Sequence, residues 1–162
     1  MAQPTYRVRT RSHGWLPAVT GDADYAGWQN SVILGFALAG GYEYLAGVRP
    51  NRYGSTATGG AYYWPIVTGY NINEPNNGYA GNCSDPITEL GVIESSGHLQ
   101  MRLLAQDSTT WSAWRPCGGR REGTNMVNMI QPTPTWETIP ATGSTPARSV
   151  YRCIVGVQMR WV

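Results

Sequence analysis

Trp15-Leu16-Pro17-Ala18-Val19-Thr20-Gly21, followed by Tyr25-Ala26-Gly27, is the stretch whose reading decides the fold. The chain returns to it as Trp64-Pro65-Ile66-Val67-Thr68-Gly69 and then Tyr79-Ala80-Gly81. Both copies join a tryptophan to Val-Thr-Gly and then reach Tyr-Ala-Gly. Self-similarity at a period of about fifty residues points to a fold built from repeated units. With Gly27 set on Gly81, the match runs on without gaps. Ile33 falls on Ile87, Phe36 on Leu90 and Leu38 on Val92. The apolar spacing recurs at the C-terminus as Ile154, Val157 and Met159, preceded by a degenerate motif, Trp111-Ser112-Ala113-Trp114. The chain therefore reads as one domain, residues 1–162, of three repeats near 5–43, 44–98 and 99–162.

The local patterns are those of short strands. Tyr6, Val8 and Thr10 alternate with Arg7, Arg9 and Arg11, which predicts a half-buried strand with a charged outer face. Leu99 to Leu103 echoes that alternation. Val32 to Leu38 and Ile87 to Ile93 are nearly continuous in apolar residues and read as buried strands, with Glu89 facing solvent. The chain's 20 glycines and 11 prolines are spread throughout, and no apolar face persists at helical spacing. The expectation is all-β. Three units that cannot each bury a core must share one, which predicts pseudo-threefold closure, β-prism-like, with a β-trefoil as the alternative. Three segments depart from the common pattern: Pro50 to Gly60, expected as a protruding hairpin; Tyr70 to Gly78; and Gly118 to Ser144. The closing strand, Val155 to Trp161, is expected to join a sheet, either its own or a neighbour's, and so allows a homo-oligomer.

Composition narrows the function. Net charge is +2 in 162 residues, and the arginines are scattered, so the basic stripe of a nucleic-acid binder is absent. No apolar run is long enough for a membrane span. No signal peptide is visible at Met1-Ala2-Gln3-Pro4. Three cysteines, Cys83, Cys117 and Cys153, lack zinc spacing; a Cys117–Cys153 disulfide and three buried thiols are both open. No nucleophile or metalloprotease motif occurs, and neither the pair Asp22 and Asp24 nor the pair Glu89 and Glu94 is set as a glycosidase dyad. The expectation is a noncatalytic protein with no cofactor and no metal.

The loops supply candidate binding groups. Tyr25 and Tyr79 directly follow polar loops, and Trp28 follows Tyr-Ala-Gly. Aromatic rings meet the C–H faces of sugars, while carboxylates and amides meet the hydroxyls. Tyr25, Tyr79 and Trp28 are the candidate stacking residues. Asp22, Asp24, Asn73 and Asn77 are the candidate hydrogen-bonding residues. The plainer reading is that the Asx residues cap turns and that Trp15 and Trp64 are core.

The carrying residues Tyr6, Val8, Gly14, Trp15, Val19, Ala26, Gly27, Ile33, Phe36 and Leu38 have counterparts in Trp64, Val67, Ala80, Gly81, Ile87, Leu90 and Val92. The pattern resembles the clostridial hydrophobic repeat with a conserved tryptophan, the ChW repeat. Similar blocks occur in C-terminal modules of phage lysins and secreted cell-wall hydrolases. The resemblance implies a lectin-like module attached to bacterial cell-wall or other surface glycan, in an extracellular or wall-associated setting. The alternative is a protein-binding or structural subunit of a secreted toxin or phage assembly, using the Gly118–Ser144 excursion and the terminal strand. Repeat three lacks Tyr-Ala-Gly, which puts an equivalent third site in doubt.

Overall fold

The computed structural model describes residues 2–54 and 60–162. It is all-β, with antiparallel strand pairing in every sheet. In chain order the strands are β1 (Thr5–Thr10), β2 (Gly14–Trp15), β3 (Val19–Thr20), β4 (Ala26–Gly27), β5 (Ile33–Leu38), β6 (Glu43–Val48), β7 (Tyr62–Tyr63) and β8 (Glu89–Ile93). They continue as β9 (Leu99–Ala105), β10 (Arg115–Pro116), β11 (Arg120–Glu122), β12 (Asn125–Val127), β13 (Trp136–Ile139), β14 (Arg148–Tyr151) and β15 (Ile154–Trp161). Part of the hairpin expected at Pro50 to Gly60 falls on residues 55–59, outside the described residues.

Three long pairs form the frame: β1 with β5, β6 with β8, and β9 with β15. Each has inward side chains from alternating or wholly apolar sequence. Tyr6, Val8 and Thr10 are buried along β1 while Arg7 and Arg9 point outward. A short segment lines the far side of each first strand. Tyr6 pairs with Val19, Tyr44 bridges Val67, and Met101 pairs with Arg115. The second strand of each pair takes a segment from elsewhere. Phe36 bridges Ala80, Leu90 bridges Ile130, and Val157 pairs with Ala26. Two of these three contacts are made by Ala-Gly. Ala26 and Ala80 are buried, and a Cβ on Gly27 or Gly81 would come within 2.4 Å of the Val155 carbonyl or 2.7 Å of the Leu34 carbonyl. Gly81 also sits at φ +102°, a region that L side chains avoid.

The sheets meet at three fully buried isoleucines. Ile87 N–H donates to the Ile33 carbonyl at 2.9 Å, and Ile154 N–H donates to the Ile87 carbonyl at 2.9 Å. The main core extends from them to Tyr6, Phe36, Leu38, Tyr44, Leu90, Val92, Met101 and Met159. β15 lies between β9 and β4, so the terminal strand is tied into its own chain's sheet. The long excursion folds back over β8: the Met126 sulfur and Met129 side chain lie where a Cβ on Gly91 would be. Glu89 is therefore 2% exposed, against the expectation that it faces solvent.

One register difference stands out. Trp15 pairs with Arg9, and the residue that pairs at the matching place in the β6–β8 sheet, opposite Gly47, is Tyr63. Trp64 is one step on, where Leu16 sits: Leu16 N–H donates to the Val8 carbonyl and Trp64 N–H to the Ala46 carbonyl. The shared anchor is Pro17 with Pro65, not tryptophan with tryptophan. The Cys117–Cys153 alternative does not form. Both thiols are free and buried, Cys117 in the main core and Cys153 in a separate cluster with Val32, Leu34 and Val155. Burial pushes each thiol up to about 12.

Replacing Ile87, which bonds to both other isoleucines, opens a cavity where no solvent can relax it. Ile87→Ala is expected to cost about 3–4 kcal/mol in urea unfolding, whereas Ile72→Ala on the partly exposed 70–78 loop costs under about 1 kcal/mol.

Candidate functional site

The outer faces of two sheets carry the same stack. In the first, the Arg7 guanidinium lies 5.9 Å from the Trp15 ring, and Trp15 meets Tyr79 edge-on at 5.2 Å. In the second, Arg102 lies 5.3 Å from Trp111, and Trp111 meets Tyr25 edge-on at 5.4 Å. Glycine positions both indoles. A Cβ on Gly35 would be 3.2 Å from Trp15, and one on Gly156 would be 2.9 Å from Trp111. The bare backbone there lets an indole lie against the strand, with the tyrosine arriving from the segment that bridges to that strand. Both tryptophans are partly exposed, Tyr25 is exposed and Tyr79 is half-buried. The result is two aromatic ledges flanked by guanidinium groups.

The loops beneath the ledges are held by buried hydroxyls. Tyr6 OH donates to the Gly21 carbonyl at 2.8 Å and accepts from Met159 N–H at 3.0 Å. Tyr44 OH donates to the Gly69 carbonyl at 2.7 Å. Burial pushes both phenols up to about 12. The Asp22–Asp24 loop is also tied to β15. Gln158 Nε2 donates to the carbonyls of Asp22 and Asp24, and Gln158 Oε1 accepts from Arg102 Nε at 2.7 Å. The Tyr25 ledge extends further: Arg102 lies 4.8 Å from Trp114, and Arg160 lies 4.1 Å from the same ring.

The expected site residues thus separate into three places. Asp22, Asp24 and Tyr25 gather at the Trp111 ledge with exposed side chains, although Asp24 Oδ1 accepts from Tyr25 N–H. Tyr79 forms the other ledge, beside a cavity of roughly 340 Å³ that also touches Trp64, Pro75, Asn76 and Asn82. The amides near it largely hold their own loop. Asn77 Oδ1 accepts from Thr68 N–H and its Nδ2 donates to Thr68 Oγ1. Asn73 N–H donates to Asn71 Oδ1, and Glu74 accepts from Asn76 and Asn77 N–H. This is the capping role. Trp28 stands apart from both ledges, 4.4 Å from the His13 ring. Arg7, Arg102, Trp114 and Arg160 join the ledges without having been expected as site residues. The arginines were marked only by alternation, each at an outward position on a strand whose inward positions are apolar, and Trp114 only by the degenerate Trp111–Trp114 motif.

The third sheet is built differently. Its outward groups are Tyr63, Met129 and the ion pair of Arg49 with Glu89, around a cavity of roughly 350 Å³. Arg49 Nη2 donates to Tyr63 OH at 3.0 Å. Burial pushes the Glu89 carboxyl up, and its bond to Arg49 draws it part of the way back. Among the described residues no cluster of three or more His, Cys, Asp or Glu is placed to hold a metal ion, and no helix is long and apolar enough to cross a membrane.

Comparison with known proteins yields no match to a family model, to a curated protein or to a solved structure.

The phenols and thiols set an alkaline limit. Their folded values lie above the ordinary 10 for tyrosine and 9 for cysteine. The stability they contribute is complete below about pH 9 and is lost as pH rises through about 12. Melting temperature is expected to fall across that window and to be nearly flat from neutral pH to pH 9. Tyr6→Phe removes the bond to Gly21 and strands the Met159 N–H, costing about 1–2 kcal/mol at neutral pH. It should also make the alkaline fall shallower.

Proposed function

We propose that the chain is a noncatalytic, lectin-like module that binds bacterial cell-wall or other surface glycan. The observation that carries this reading is the Arg–Trp–Tyr stack, built twice from different segments on two outer sheet faces. A pyranose presents an apolar C–H face and a rim of hydroxyls. An exposed indole and phenol offer a flat surface for the first, and guanidinium N–H groups and the Asp22 and Asp24 carboxylates offer partners for the second. Each ledge is small, so useful retention on a polymer comes from engaging both at once. An extracellular or wall-associated setting follows from such a ligand.

The architecture that goes with this function is three units around a pseudo-threefold axis, β-prism-like rather than trefoil. Its support is the cyclic pairing: the Ala26, Ala80 and Ile130 segments each add to the long strand of the preceding unit. Each sheet thereby gains an edge segment from the next unit, and the ledges form where units meet. The third junction has Tyr63 and Met129 in place of tryptophan and tyrosine, so two sugar sites are expected rather than three.

One observation favours the alternative of a protein-binding or structural subunit. Trp136, on the β13–β14 hairpin of the excursion, is 48% exposed and meets Tyr151 edge-on. A solvent-facing indole on a projecting hairpin suits a protein contact.

Tyr25→Ala and Tyr79→Ala are each expected to weaken retention on insoluble cell-wall glycan several-fold, and the double variant to abolish it, with melting temperature within a few degrees of wild type. Undiminished retention by a folded double variant would overturn the sugar reading. Absence of wild-type retention on any glycan, together with self-association in light scattering that Trp136→Ala removes, would favour the protein-binding or structural alternative.

A further inference from the structure

We propose that the cleft between Trp28 and Tyr53 is a separate binding site for an anionic pyranose, a sugar ring bearing a carboxylate or a sulfate. Three distant segments form it: the turn Arg11-Ser12-His13, the turn Trp28 to Val32, and Tyr53 from the turn that follows β6. The cavity is roughly 440 Å³, within the range of small-ligand sites and sufficient for one or two sugar rings. It is distinct from the two ledges and does not depend on them.

The chemistry of the lining selects the ligand. Trp28 is 41% exposed and meets the His13 ring, giving the cleft a flat apolar wall. Ser12, Gln29, Asn30 and Ser31 supply hydroxyl and amide groups around it. The charged group is Arg11, whose guanidinium sits 4.7 Å from the Tyr53 ring. Among the described residues no ion pair involves Arg11. The neighbouring acid, Asp107, is paired with Arg52 at 3.0 Å and accepts from Asn30 Nδ2 at 2.8 Å. A guanidinium parked on an aromatic ring, with no carboxylate claiming its fork of donors among the described residues, is suited to a carboxylate or sulfate group. The aromatic wall, the hydroxyl-matching rim and one unmatched cation together describe an acidic sugar rather than a neutral one.

The cleft is also held in shape before any ligand arrives. Gln29 and Asn30 have φ of +28° and +60°, and the facing Asp107 has +57°. Asn30 and Asp107 lock these turns reciprocally, since Asn30 Oδ1 accepts from Asp107 N–H at 2.7 Å. Ser31 N–H closes the Trp28 turn at 2.7 Å, and Ser31 Oγ accepts from Ser12 N–H. On the other wall, Asn51 Oδ1 accepts from Tyr53 N–H, and Arg52 is pinned by Glu137 and Asp107. Ordering cost on binding is thereby small.

The test is titration of the whole chain with a uronate oligosaccharide, a sulfated oligosaccharide of the same size and a neutral gluco-oligosaccharide, read by the Trp28 indole N–H resonance. The acidic ligands are expected to shift that resonance and to bind at least about tenfold more tightly than the neutral one, with the preference shrinking as salt is raised. Which acidic ligand binds more tightly tells carboxylate from sulfate. Arg11→Gln should abolish the acidic preference at this resonance, and Trp28→Ala, made in the Tyr25→Ala, Tyr79→Ala background and read by calorimetry, should abolish the binding of the acidic ligands. Tyr25→Ala with Tyr79→Ala should leave this titration unchanged, so failure of the ledges and failure of the cleft are read separately. Equal affinity for neutral and acidic sugars, an unmoved Trp28 resonance in wild type, or an unaffected Arg11→Gln variant would each overturn the proposal.

Discussion

The fold depends on the backbone bonds that run from Ile154 to Ile87 and from Ile87 to Ile33. Buried amides away from water must be paired. Here the Ile87 and Ile154 amides, at the inner ends of the second and third sheets, find their acceptors in the sheet that precedes each. The isoleucine side chains then close the space around those bonds without polar atoms. This explains why β5 and β15 begin in isoleucine, why Ile87 leads into β8, and why all three isoleucines are fully buried. The bonds make the three sheets one cooperative body: none of the long pairs can be displaced without exposing a main-chain group that belongs to another.

That central constraint determines what the outer faces can be. With apolar positions turned inward, alternation turns Arg7, Arg9, Arg102 and Arg160 outward, and the short segments that border each first strand deliver an aromatic residue beside them. Whether a ledge results depends on one further detail. Where the strand presents Gly35 or Gly156, an indole lies against the backbone and remains partly open. In the β6–β8 sheet the glycine is Gly47, on the first strand, and the facing position is Glu89. Tyr63 then packs over Gly47, Arg49 closes on Glu89, and the 126–131 segment covers the carboxylate. The same topology thus yields two aromatic surfaces and one buried ion pair.

Much of this was legible in the sequence, for identifiable reasons. The all-β class followed from alternation and turn residues, and the inward set Tyr6, Val8 and Thr10 followed from period two. The spacing of Ile33, Phe36 and Leu38 named the buried strands correctly. Trp64 misled because tryptophan is the most conspicuous letter in its stretch, while the geometry is anchored by proline, which cannot donate to the ladder and so marks where the segment leaves it. Glu89 misled because its cover arrives some forty residues later, and alternation cannot report what folds over an outer face. The Asn-rich loop looked like a ligand surface, yet Asn71, Glu74 and Asn77 bond within it, the local preference that makes such residues common in turns. The arginine–indole contacts are tertiary and leave only an alternation of charge behind.

The polarity of the surface bears on how the proposed sugar binding would work. Stacking alone discriminates poorly, since most pyranoses offer some apolar face. Discrimination comes from polar groups fixed at a known place, and a fixed group needs a partner that holds it without satisfying it completely. Arg102 meets that condition: Gln158 takes its Nε, two indole rings lie within 5.3 Å of the guanidinium, and among the described residues no carboxylate pairs with it. Arg7 meets it in the same way, with its Nε on the Leu16 carbonyl. Arg49, by contrast, gives its Nε to the Glu89 carboxylate and donates from Nη2 to Tyr63 OH. On the proposed reading, what would separate a recognition surface from a structural one in this fold is less the presence of aromatic and charged residues than whether a carboxylate within the chain has already claimed the cation.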